Sequence, residues 1–208
     1  MRYKLDEQLK QINDALTKMG VQCEECITYA TQALITERKE MADLAIQLER
    51  DIDISQQDIQ NLCMKVLLHQ QPVARDLKII SASLKLITDM ERIGDQGSDI
   101  AELTKKYEIK DVNCAIVISK MADAVIRMLM AAIKAFTECD RNLALAIDKM
   151  DDEVDNLFLQ VKTNLVNLIL KDKENGEQAL ESLMIAKYLE RIGDHTVNIS
   201  ESVVSMLS

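Results

Sequence analysis

The chain has 208 residues, of which 48% are hydrophobic, with 5 Gly, 1 Pro and 3% aromatic residues. This composition favours long helices with a sizeable core, so we expect an all-α protein. The formal net charge of -10 argues against nucleic acid and anionic membranes as partners, because like charges repel. No apolar run reaches spanning length, so we expect a soluble, cytoplasmic protein that meets membranes only through its partners.

Apolar residues at spacings of three and four predict six long helices joined by short turns. Pro72 suits the first turn of the third helix, and Asp140 is a favourable N-cap for the fifth. Asn175-Gly176 marks a break before the sixth helix. Short turns require antiparallel neighbours, so each run of three helices should form an up-down-up bundle. The predicted helices cover about 2–35, 38–69, 72–107, 113–138, 140–171 and 177–207.

One five-residue motif occurs twice, as Glu91-Arg92-Ile93-Gly94-Asp95 and as Glu190-Arg191-Ile192-Gly193-Asp194. The match continues in register, with Asp99 facing Asn198. A duplicated unit predicts two tandem, pseudo-symmetric three-helix bundles. The stretch 108–112 has no clear helical period, so we assign residues 1–109 to the first unit and 110–208 to the second.

Each copy of the motif carries two carboxylates four residues apart, which point the same way one turn apart on a helix. The apolar positions of the same helices mark the core, so we expect these carboxylates on the outer face. A solvated acidic surface is the simplest interpretation of such a row. The four residues concerned are Glu91, Asp95, Glu190 and Asp194.

Two further observations favour a cation site over a solvated surface. The second and fifth helices carry acidic pairs at the same spacing, Glu49 with Asp53 and Asp151 with Asp155. Four neighbouring carboxylates repel one another unless a cation joins them. A glycine inside a helix also costs about 1 kcal/mol relative to alanine, yet each motif contains one, which indicates that another group approaches there. Oxygen ligands suit Mg²⁺, Mn²⁺ or iron.

Other site types are less well supported. Cys23-x-x-Cys26 has the spacing of a redox or metal half-site, but there is no second pair, so we interpret both as buried or boundary thiols. A di-iron enzyme would need Glu-x-x-His pairs pointing into a bundle core, and neither His69 nor His195 follows that pattern. A purely structural helical scaffold would leave the repeated Gly-Asp element unexplained. No nucleophile arrangement is recognisable, so we do not expect an enzyme.

Several longer segments resemble the PhoU family of phosphate-transport regulators. They are His69 to Lys78 entering the third helix, Asp89 to Asp95, and Leu189 to His195 with Asn198-Ile199. Ile52-Asp53 and Asp151 to Asp155 are also similar to acidic motifs of that family. The resemblance covers essentially the whole chain, and it implies two tandem three-helix bundles with surface metal clusters.

The resemblance also implies a regulatory function without catalysis. A PhoU-like protein would be a homodimer that docks to the ATPase subunit of the phosphate ABC transporter and to a phosphate-sensing histidine kinase. A PhoU-like paralogue with another partner is the alternative. Arg92 and Arg191 are expected to pair with the acids or to face a partner, and His195 is expected to be a surface histidine. The metal, whether iron, manganese, magnesium or zinc, would be held by Glu49, Asp53, Glu91, Asp95, Asp99, Asp151, Asp155, Glu190, Asp194 and Asn198.

Overall fold

The computed structural model describes residues 2–70, 72–107, 109 and 111–208. Six α-helices and no strand are found in these ranges, which confirms the all-α prediction. A 3₁₀ turn, Lys173–Asn175, precedes the last helix. The helices are α1 (Arg2–Thr36), α2 (Lys39–His69), α3 (Ala74–Lys106), α4 (Val112–Thr137), α5 (Arg141–Lys171) and α6 (Gly176–Met206).

The helices form the two predicted three-helix bundles. Helices α1, α2 and α3 pack on one another, as do α4, α5 and α6, and the bundles meet where α1 contacts α4 and α3 contacts α6. Asp89, in the middle of α3, bonds Asn198, in the last third of α6, whereas Asp99, further along α3, lies near Tyr188, which comes earlier in α6. Helices α3 and α6 are therefore antiparallel. Because Asp89 is equivalent to Tyr188, and Asp99 to Asn198, a pseudo-two-fold axis relates the bundles.

The core is continuous across the two bundles, because the buried apolar side chains of all six helices form a single cluster. Apolar positions at helical spacing along α3 and α6 are mostly buried, for example Leu86, Ile93 and Ile192, although Ile79 is only partly covered. Gly20 of α1 lies directly against Ile133 of α4, so a larger residue there would displace the Ile133 side chain. In the part of the chain that the structure describes, no helix is long and apolar enough to cross a membrane.

Several helix ends differ from the predictions. Pro72 lies before α3 and not in its first turn, because Val73 is the N-cap. The predicted break before α6 is present as the 3₁₀ turn, but Gly176 is already the first residue of the helix. Asp111, which we did not predict as a cap, accepts a hydrogen bond from the backbone N–H of Cys114. Asp140 caps α5 as predicted. Glu108 and Lys110, in the predicted aperiodic stretch, lie outside the described residues.

The thiols of Cys23 and Cys26 are buried inside the first bundle, as the sequence suggested. Cys23 Sγ donates to the carbonyl of Met90 at 3.4 Å, and Cys26 Sγ donates to the carbonyl of Ala45 at the same distance. Burial and the charge of Glu49 raise the pKa of Cys26 to about 12. The thiol is therefore protonated and inert, and it acts as packing between helices.

Candidate functional site: two carboxylate clusters

The first cluster lies where α2 packs on α3. Partial burial raises the pKa of Glu49, and the charges of Asp53, Asp95 and Glu91 raise it further. The pKa of Glu91 is raised by partial burial and then by Asp95 and Asp53, although Arg92 opposes this. These four carboxylates are therefore close enough to repel one another. The fold brings together the two acidic pairs that lie far apart in sequence.

The second cluster has the same construction between α5 and α6. Burial raises the pKa of Asp151 to about 6, with additional repulsion from Asp155, Asp194 and Glu190. The pKa of Asp194 is also raised, first by burial and then by Glu190. Both clusters thus hold more negative charge than their surroundings neutralise.

The clusters are less exposed than the predicted outer face. The side chains of Glu91 and Glu190 are only 21% and 18% exposed. Glu49 and Asp151 are also partly covered, whereas Asp53 and Asp155 are exposed. The carboxylates thus lie on the outer face but are unequally exposed, because the second acidic helix packs beside the first and partly covers them. The carboxylates line a groove between two helices.

The motif glycines explain how the helices come so close. A Cβ at Gly94 would lie 3.0 Å from Ile52 Cδ1, and a Cβ at Gly193 would lie 2.8 Å from Asp151 Oδ1. The group that approaches Gly94 is therefore the buried side chain of Ile52, whereas the group that approaches Gly193 is the carboxylate of Asp151. The prediction that a group approaches each glycine is confirmed.

Cationic side chains partly neutralise both clusters. Arg92 lies 2.9 Å from Asp95 and 3.5 Å from Glu91, which confirms ion pairing for this arginine. In the second unit Lys187 pairs with Glu190. Arg191 instead lies over the ring of Tyr188 at 5.8 Å, and among the described residues it makes no ion pair with its own acidic motif.

The two remaining predicted ligands face the boundary between the bundles. Asp99 is exposed; burial and then the charge of Asp95 raise its pKa, while Arg191 of the other bundle lowers it. Asn198 does not join the second carboxylate cluster directly, since its amide donates to Asp89 at 3.3 Å. The equivalence of these two residues therefore does not extend to their contacts.

His195, expected at the surface, is only partly exposed because it contacts the other bundle. Its side chain is 26% exposed, and Nδ1 lies 3.0 Å from Asp89 Oδ1 across the bundle boundary. Asp89 thus receives contacts from both His195 and Asn198. Sequence reasoning missed Asp89 as a site residue because Tyr188 occupies the equivalent position, so the repeat gives no signal there.

The donor chemistry of the clusters suits a hard cation, but their present geometry is not that of a formed metal site. All four groups of each cluster are carboxylates, and their mutual repulsion favours a bound cation. However, no group of three acidic, His or Cys side chains in the described residues converges on one point. Arg92 and Lys187 hold carboxylates that a metal would need, so binding requires side-chain rotation. The ligand assignments stay a prediction.

Comparison with known proteins places this architecture among related chains. The family described as PhoU domain matches residues 16–104 and again 118–203. A protein of Clostridium acetobutylicum named "Phosphate-specific transport system accessory protein PhoU homolog" is 33% identical over 98% of this chain and 94% of its own. A protein of the same name from Deinococcus radiodurans is 31% identical over 98% and 96%.

Solved structures agree with this relationship. The crystal structure of PhoU from Pseudomonas aeruginosa has a TM-score of 0.88 and 28% identity, and 97% of each chain is covered. The crystal structure of the phosphate transport system regulatory protein PhoU from Streptococcus pneumoniae also gives 0.88, with 25% identity and 97% and 96% coverage. The six-helix arrangement is therefore shared over nearly the full length.

Proposed function

Since the chain belongs to the PhoU family, we propose that it is an accessory protein of phosphate transport that restrains the phosphate-starvation response while phosphate is plentiful. One observation carries this proposal: the match to a protein named as an accessory protein of the phosphate-specific transport system covers both repeats and 98% of the chain. The similarity therefore extends over both bundles. We place the protein in the cytoplasm as a homodimer.

The proposed mode of action is docking to other proteins. Its partners would be the ATPase subunit of the phosphate ABC transporter and the phosphate-sensing histidine kinase. An acidic surface with a net charge of -10 favours basic surfaces on these partners. Arg92 adds a local positive charge, because it presents a 56% exposed cationic side chain at the edge of the first cluster.

The carboxylate clusters would tune this docking through a bound divalent or ferric ion. A cation would neutralise the repulsion that raises the pKa of Glu49 and Asp151. Oxygen ligands favour Mg²⁺, Mn²⁺ or iron over softer metals, and Zn²⁺ also accepts carboxylates. The first cluster would use Glu49, Asp53, Glu91 and Asp95, and the second would use Asp151, Asp155, Glu190 and Asp194.

Gene deletion in the host tests the regulatory role. We expect a phosphate-starvation reporter to become active in phosphate-rich medium, and complementation with the wild-type gene to silence it. Unchanged reporter expression, in a strain without a second copy of the gene, would reject the role.

Charge reversal tests the docking surface. In the deletion strain, a gene carrying Arg92→Glu should silence the reporter less completely than the wild-type gene does. The reason is that the variant lacks the exposed cation beside the first cluster. Arg127→Glu is the matched control, since Arg127 is 53% exposed and also pairs with a glutamate, but on the other bundle. Equal effects of both variants, with equal protein levels, would show that the first cluster is not the docking surface.

A further inference from the structure

A small cavity lies where the start of α3 meets the end of α6, away from both carboxylate clusters. Its volume is 100 Å³, below the roughly 300 to 1,000 Å³ of typical cofactor pockets but enough for several waters or one small ion. Ala82 and Met206 are buried and form its apolar base. The other lining residues are Lys78, Ser81, Lys85, Ser202 and Ser205.

The polar lining consists only of cations and hydroxyl groups. Lys78 and Lys85 are two turns apart on the same face of α3, with Ser81 between them. In the described part of the chain neither lysine makes an ion pair, although acidic residues outnumber basic ones by 35 to 25. The serine hydroxyls lining the cavity also make no side-chain hydrogen bond there. Lys78, Ser81, Lys85 and Ser205 are exposed, so their donors and positive charges line the cavity from its solvent side.

The pseudo-two-fold axis provides a comparison within the molecule. In the register that aligns Glu91 with Glu190, Lys78 is equivalent to Glu177 and Ser205 to Lys106. The equivalent cavity, at the start of α6 and the end of α3, has a volume of 520 Å³ and three glutamates, Glu174, Glu177 and Glu181. The two units therefore have opposite charge at the same place in the fold. Packing alone does not require this difference.

We propose that the cavity between Lys78, Lys85 and the three serines binds a small tetrahedral oxyanion of the phosphate type. Two ammonium groups supply charge-assisted hydrogen bonds, and the hydroxyls supply neutral donors. The final turn of α6 contributes negative carbonyl charge, which the N-terminus of α3 offsets because both helix ends lie on this side. The oxyanion is either free phosphate or a phosphate group carried on a lipid. The proposal rests on the cavity alone and not on the proposed function.

Equilibrium dialysis with radiolabelled inorganic phosphate, in buffer without other oxyanions, tests the free-ion source. We expect saturable binding to the wild type and competition by sulfate. Lys85→Met should weaken binding at least about tenfold, the effect of losing one hydrogen bond between charged groups. Lys106→Met, in the equivalent acidic cavity, is the matched control and should leave binding unchanged.

Vesicles of phosphatidylcholine with phosphatidic acid test the lipid source by co-sedimentation. The double variant Lys78→Met with Lys85→Met should lose vesicle binding. If the wild type binds these vesicles but not free phosphate, the ligand is a lipid phosphate. Ser202→Asp keeps both lysines but adds a negative charge, so it should abolish binding from either source. The proposal would be overturned if the wild type bound neither phosphate nor vesicles. It would also be overturned if the lysine variants bound both as well as the wild type does. Circular dichroism and urea unfolding verify that the variants are folded.

Discussion

Asp151 lies so close to Gly193 that a Cβ at position 193 would stand 2.8 Å from Oδ1 of the carboxylate. The equivalent glycine, Gly94, faces the β-branched side chain of Ile52. One duplicated motif thus contacts a movable acid in one bundle and fixed core atoms in the other. The same substitution should therefore have different consequences in the two units.

Gly94→Ala should lower the free energy of unfolding by about 1 kcal/mol, because crowding of about 1 to 3 kcal/mol outweighs a helix-propensity gain of about 1 kcal/mol. Gly193→Ala should be neutral or stabilising by up to about 1 kcal/mol, because the Asp151 carboxylate can rotate away. Urea unfolding of both variants measures the difference. An equal loss in both would show that the Asp151 side chain cannot move.

The stability of the protein should depend on the protonation of Asp151. Its pKa is about 6 in the folded state against an ordinary value of 3.8, so the folded state binds more protons between these values. Stability from this residue should thus fall as the pH rises from about 4 to about 6, and recover on acidification. Asp151→Asn should be more stable than wild type near neutral pH, with less pH dependence. Urea unfolding midpoints of both proteins across this pH range measure the effect. The same dependence of the midpoint on pH in both proteins would contradict the prediction.

Metal binding should be separable between the two clusters. Glu91→Ala with Asp95→Ala should remove one class of sites, and Glu190→Ala with Asp194→Ala should remove the other, because the acid pairs lie in different bundles. Titration calorimetry and elemental analysis with iron, manganese, magnesium and zinc measure the stoichiometry in chelator-free buffer.

Asp58→Asn is the control for these metal titrations, because Asp58 is an exposed acid of α2 outside the first cluster. Its stoichiometry should equal that of the wild type. Absence of binding by the wild type to all four metals would leave the clusters as acidic partner-facing surface.

The contacts of Asp89 should contribute to the stability of the bundle interface. Asp89→Ala removes the acceptor of both His195 and Asn198, and we expect a loss of about 1 to 2 kcal/mol in the free energy of unfolding. Thr88→Ala is the control, since the Thr88 hydroxyl bonds only within its own helix. A double-mutant cycle of Asp89→Ala with Asn198→Ala would give no coupling energy if the contact is absent in solution.

Thiol labelling should distinguish Cys139 from the other four cysteines. Cys139 is the one exposed thiol, whereas Cys23, Cys26, Cys63 and Cys114 are buried. Native protein should react rapidly at one thiol per chain with a disulfide reagent, and Cys139→Ser should remove that reaction. Denaturant should expose the remaining four. Rapid labelling of Cys139→Ser without denaturant would indicate local opening of the bundles.

Local sequence patterns predicted the helices and the pairing of acidic residues within each unit. Helical spacing gives the face of each carboxylate, and the duplicated motif shows that α2 with α3 and α5 with α6 repeat one arrangement. The docking of α3 on α6 was not predictable in this way, because it depends on contacts between distant residues. Asp89 and His195 meet only through that docking, and the equivalent positions in the other unit hold Tyr188 and Gln96 instead. The grouping of Lys78 and Lys85 with the serines of α6 also depends on this docking, so the sequence alone did not predict it.

The shared core says something about the origin of the chain. A single three-helix unit on its own would expose the faces of α1 and α3 that now pack against α4 and α6. Such a unit would be stable only as a two-fold dimer of identical copies, each covering the other. Two copies in one chain make the same association intramolecular, so it does not depend on protein concentration. Joined copies need not be identical, and here Lys78 and Glu177 occupy equivalent positions with opposite charge.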